Sequence, residues 1–267
     1  MSGRSAARPQ EKAPKSGAPV KRRRQRPALA TGRVAWTPLE AVVVLAAMVA
    51  FLVAKEAALG VSALSRATVR GAILGRAGVL TFYYLAQLGM LVVLARRHGA
   101  ATLPAFGLGR PRVGWLSRLT SAALVAGLLV GMRLFSYVYG VTVNALGWRP
   151  PVGAGSSLTA VFGPDALGLA LAVAMAVVVG PIVEEMVFRS VLLGGIAARW
   201  GEKAGIVGSA LLFASFHVTP WMLVPAAALG IATGWLARSR RSLWPAVVLH
   251  SLYNGVAVAA AFYVARR

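Results

Sequence analysis

The chain has 267 residues, 58% of them hydrophobic, with a mean hydropathy of +0.69 and a formal net charge of +22. Several stretches of about 20 residues are nearly uncharged, the length that crosses ~30 Å of hydrocarbon as a helix, so an ordinary soluble globule is excluded. The absence of cysteine removes disulfides, thiolate metal ligands and cysteine nucleophiles together.

Residues 1–36 are polar, rich in Pro, Gly, Ser and Ala, and carry the basic run KRRRQR from Lys21 to Arg26. No apolar periodicity appears there, and the polar lead is too long for a signal peptide, so a disordered cytoplasmic tail is expected. Nothing aromatic accompanies the basic run. Its expected partner is therefore the anionic surface of the lipid bilayer and not nucleic acid. Apolar spans follow at about 38–59, 77–95, 119–146, 166–186, 204–218, 221–237 and 244–264. The expected fold is all-α: a polytopic transmembrane helical bundle of about seven spans, with N-terminal helices over 37–165 and a catalytic core over 166–267.

A helical extension over about 187–200 continues the fourth span, and Gly180 and Pro181 predict a break or kink inside it. Small residues four apart, Gly127 with Gly131 and Gly230 with Gly234, predict close helix packing. Arginine in the loops sets orientation. The tail holds ten basic residues, the 96–118 loop five arginines and the 238–242 turn three, against Arg149 alone in the 147–165 loop. That pattern puts the N-terminus in the cytoplasm and the C-terminus outside. Arg66, Arg70 and Arg76 lie against it, which points to an interfacial helix or a different span boundary near 60–76.

Ionisable residues at bilayer depth are costly without a partner and mark function by default. Here they are Arg133, Glu184, Glu185, His217 and His250, with Arg189 as a partner. In EEMVFR, Glu185 and Arg189 are four apart and share a helix face. A structural ion pair accounts for those two. It does not account for Glu184, which points about 100° away and is the expected catalytic or ligand carboxylate. In FASFH, Phe213 and His217 share a face; alone, such a histidine reads as a packed or interfacial residue. In HSLYN, His250 and Asn254 share a face, with an interhelical hydrogen bond as the plainer reading.

Depth brings these groups together. Glu184 and His217 each lie roughly 20 Å from the 200–203 turn, and His250 roughly 12 Å past the 238–242 turn. All four polar groups, Asn254 included, can then converge in one inward-opening cavity. A carboxylate and an imidazole can activate water for attack on a carbonyl, while a second imidazole and an amide hold the oxyanion. The same Glu/His/His set could instead bind a divalent metal such as zinc. No HExxH pair and no GxSxG serine is present, so water is the expected nucleophile.

EEMVFR, FASFH and HSLYN, in this order, resemble the EExxxR, FxxxH and HxxxN motifs of the CPBP family of intramembrane proteases. That family includes type II CaaX prenyl endopeptidases, bacteriocin-processing and self-immunity proteins, and myxosortases. The resemblance spans about residues 166–264. It implies an all-helical core and peptide-bond hydrolysis at the membrane. By motif match it makes Glu184 the base, with His217 helping, and His250 and Asn254 the oxyanion hole. Glu185, Arg189 and Phe213 would support the site. It leaves glutamate and metal mechanisms both open, and a metal-independent one is preferred.

The expected substrate is a membrane-anchored protein or peptide cut near its C-terminal anchor. High Ala, Arg and Gly content suggests a GC-rich bacterial genome, so the expected location is a bacterial inner membrane, where processing of C-terminal sorting signals or peptides is more plausible than CaaX cleavage. A non-catalytic peptide-binding or self-immunity factor is the alternative. A transporter is disfavoured, because no repeated halves are visible and Arg133 is the only other mid-span charge.

Overall fold

The computed structural model describes residues 34–64, 68–100, 102–109, 114–148, 157–217 and 220–265. Among them every regular element is helical: α1 Pro38–Leu64, α2 Val69–Arg97, α3 Thr102–Ala105, α4 Trp115–Ala145, α5 Ser157–Phe162, α6 Ala166–Trp200, α7 Glu202–Ser215, α8 Pro220–Ser239 and α9 Trp244–Val264. The all-α expectation holds. Six of these helices are long and apolar enough to cross a membrane. The remaining expected span, 204–218, corresponds to α7, whose 14 residues reach roughly 21 Å, short of the ~30 Å hydrocarbon. The 60–76 stretch holds no separate helix among the described residues; α1 and α2 run further than expected. The basic tail up to residue 33 lies outside the described residues.

Local chemistry sets the helix starts. Thr37 and Glu40 form a reciprocal capping box ahead of Pro38: Thr37 N–H donates to Glu40 Oε2 at 2.8 Å and Glu40 N–H to Thr37 Oγ1 at 3.2 Å. Thr68 accepts from Gly71 N–H at the start of α2, and Asp165 from Gly168 N–H at the start of α6. Gly201, at φ 88°, makes the tight turn from α6 into α7.

Burial is uneven, as lipid exposure requires. Only 11% of the apolar windows of α1 and α4 is buried, against 50% for α8. Val42, Val53, Val130 and Leu134 face outward from α1 and α4, as side chains turned to hydrocarbon do. The second half of α6, with α7, α8 and α9, makes the closed centre, and α1 packs across it. Trp36 is buried there, stacked on Phe106 with its indole N–H on Ser190 Oγ at 3.0 Å. Gly230 lets α8 touch α7: a Cβ there would sit 2.9 Å from Ala210 Cα. Gly127 and Gly131 do not behave as expected, since nothing lies within 4 Å of a Cβ at either.

The expected break at Gly180–Pro181 is instead a change of register. The helix runs on from Ala166 to Trp200, but Val173–Val179 and Met186–Leu192 are π-helical, flanking an α-helical Gly180–Glu185. Wider π turns let the chain pass a proline without a missing turn, and such segments often mark functional sites.

Candidate active site

The carboxylates sit on the α-helical segment between the two π stretches, which turns Glu184 and Glu185 to different surroundings. Glu185 is fully buried. Its Oε2 lies 3.3 Å from Arg189 Nε, and its Oε1 accepts from His250 Nδ1–H at 2.9 Å. The Glu185–Arg189 pair expected from spacing is therefore present, and His250 joins it. Arg189 Nε–H donates to Thr233 Oγ1 at 2.7 Å, and its guanidinium lies 4.6 Å from the Phe213 ring centroid. Buried charges of opposite sign with hydrogen-bonded flanks are how a bilayer-depth arginine is tolerated.

Glu184 is different. Its side chain is 21% exposed and lines a cavity of about 870 Å³ that His217, Asn254, Phe213, Tyr83, Tyr84 and Lys55 also line. That volume is ample for a peptide segment. Glu184 is not unpartnered, as spacing alone had left it. Tyr84 O–H donates to its Oε1 at 3.0 Å, from α2. Its Oε2 lies 3.8 Å from His250 Nε2. A Cβ at Gly180 would come within 2.8 Å of Tyr84 Oη, so this glycine is the notch that admits the hydroxyl.

The histidines are oriented by their other nitrogens. Phe213 O can only accept, so His217 Nδ1 donates to it at 3.0 Å and Nε2 carries the lone pair. His250 is 1% exposed and is not part of the cavity lining; with Nδ1–H on Glu185, its Nε2 turns toward Glu184. The Phe213 ring stands edge-on between them, 4.7 Å from the His217 ring and 5.4 Å from the His250 ring. Asn254 Nδ2 donates to Ala176 O at 2.9 Å.

Glu184, His217 and Asn254 thus share one cavity, and His250 adjoins it through Glu184. Tyr84, Thr233 and Gly180 are the site neighbours that sequence reasoning missed; for Gly180 the GPIVEE context was a signal, read only as a kink. Arg133 stays apart, over the Tyr253 ring at 5.1 Å. Among the described residues no three His, Asp or Glu side chains are grouped closely enough to hold one metal ion.

No curated protein and no solved structure matches the chain. Residues 166–256, the stretch that carries all three motifs, match the family model described as type II CAAX prenyl endopeptidase Rce1-like, in agreement with the resemblance to the CPBP membrane proteases.

Proposed function

We propose that this protein is an intramembrane endopeptidase that hydrolyses a peptide bond near the C-terminal region of membrane-anchored proteins or peptides. The observation that carries this reading is the position of Glu184: a carboxylate at bilayer depth, lining a large cavity, with one oxygen held by Tyr84 and two imidazoles beside it.

The chemistry follows from the groups present. Glu184 accepts a proton from a water molecule, helped by the lone pair on His217 Nε2, and the water oxygen attacks the peptide carbonyl carbon. The resulting oxyanion is met by the amide of Asn254, which lines the cavity, while His250, behind Glu184 with its Nε2 turned to that carboxylate, orients the base. The tetrahedral carbon then expels the amine, which takes the proton that Glu184 received. Carboxyl and amine products leave, and the carboxylate is restored. Glu185 and Arg189 touch no substrate; they hold His250 and balance charge beneath it.

The proposed setting is a bacterial inner membrane with the N-terminus in the cytoplasm, and the proposed substrates carry C-terminal sorting signals or are membrane peptides. Incubating the purified protein with anchored peptides, beside Glu184→Ala and His217→Ala, tests the reading. Processing by wild type alone supports it, and equal processing by all three rejects it. Activity that persists in a chelator is the expected result for glutamate chemistry. Loss with recovery on zinc add-back would replace it with a metal mechanism.

A further inference from the structure

Pro181 and Asn254 meet through one backbone carbonyl. At the end of the first π stretch, Gly180 N–H donates to Met175 O, five residues back and not four. In that register the next N–H would reach Ala176 O. The next residue is Pro181, which has no N–H. That step of the register has no donor to offer, and Ala176 O accepts from Asn254 Nδ2 at 2.9 Å, on α9 and 78 positions along the chain. An unmet carbonyl is strongly disfavoured in a bilayer, so the amide is held there. Nδ2 carries two hydrogens. One is spent on Ala176 O; the other remains available in a cavity that Glu184 and His217 also line.

We propose that Pro181 is a positioning residue: by lacking an N–H it frees Ala176 O to anchor Asn254, which fixes the second Asn254 N–H as a donor in the cavity. The catalytic half of this rests on the endopeptidase reading above; the anchoring half does not.

The experiment is a double-mutant cycle on the full chain, with Pro181→Ala, Asn254→Ala and both together. Thermal unfolding midpoints are read alongside kcat and KM on an anchored peptide. Pro181→Ala supplies the N–H that competes for Ala176 O. Each single variant should lose kcat, by roughly 10²-fold for the lost donor, with KM little changed. The double variant should be no slower than Asn254→Ala. Asn254→Ala should lower the unfolding midpoint when Pro181 is present and leave it unmoved in the Pro181→Ala background, where the new N–H meets the carbonyl. Pro181→Ser restores the same N–H with a different side chain and should repeat the pattern, which separates the N–H from packing.

Multiplying kcat losses would overturn the proposal, because Pro181 would then act elsewhere. Recovery of wild-type turnover in the double variant would also overturn it, reducing Asn254 to a plug for the carbonyl. An equal drop in midpoint in both backgrounds would remove the anchor itself. The midpoints need no substrate, so they decide the anchor even if the hydrolysis reading fails.

Discussion

Glu184 and Glu185 are neighbours with opposite tasks, and their surroundings explain the division. Glu185 faces an arginine and a histidine in a sealed pocket, so it has no room for substrate. Glu184 faces the cavity with one oxygen tied to Tyr84. That hydrogen bond orients the base, so Tyr84→Phe should lower kcat by roughly 10- to 100-fold through misplacement, measured on an anchored peptide. Unchanged turnover would show that the hydroxyl does not position the base. Thr233→Val should destabilise the protein by about 1–3 kcal/mol, because Arg189 Nε would lose its acceptor in a buried site; chemical denaturation in detergent measures it. The acids and histidines were legible in the sequence because they stand out in apolar helices. Tyr84 and Thr233 were not, since a tyrosine or threonine in an apolar helix is ordinary and their partners lie 100 and 44 positions away.

The long helix α6 shows why spacing alone goes only part of the way. Glu185 and Arg189 meet at the expected four-residue interval, yet the segment from Met186 is π-helical and the segment before Gly180 is too. The GP pair signalled an interruption; it takes the form of two widened stretches, the first packed on α2 and α9 and the second on α1, α7 and α8, partners that no local pattern encodes. Gly180→Ala would bring a methyl within 2.8 Å of both Tyr84 Oη and the Met175 carbonyl oxygen, so it should lose at least as much activity as Tyr84→Phe. Between α7 and α8, Gly230→Val inserts bulk where a Cβ already approaches Ala210 Cα at 2.9 Å. Overpacking of that kind costs about 1–3 kcal/mol, to be read as a lowered unfolding midpoint. The small-residue pattern was right at Gly230 and wrong at Gly127 and Gly131, because the pattern reports what could approach and not which helix does.

Across the whole molecule, the lipid-facing helices α1 and α4 enclose a more buried centre made by α6 to α9, and hydropathy alone located nearly all of these. It could not separate α7, a short helix that pairs with α8, from a full span. Because the chain has no cysteine, single cysteines can be introduced without background. Arg240 donates to Ser117 O and Leu243 N–H to Gly107 O, so the 238–243 turn lies at the same end as the 96–118 loop, and α7 and α8 enter and return from one face. Labels at 99 and 240 should therefore react from the cytoplasmic face and labels at 147 from the opposite face; the reverse pattern would overturn the orientation. The central claim is that Glu184 drives hydrolysis of an anchored peptide. The most direct measurement is product release by the full chain in liposomes carrying a peptide with a C-terminal membrane anchor, beside Glu184→Gln, which keeps shape and removes the base. A discrete cleavage near the anchor by wild type, reduced by roughly 10²–10⁴-fold in Glu184→Gln, is the predicted result. Equal cleavage by both proteins would contradict it.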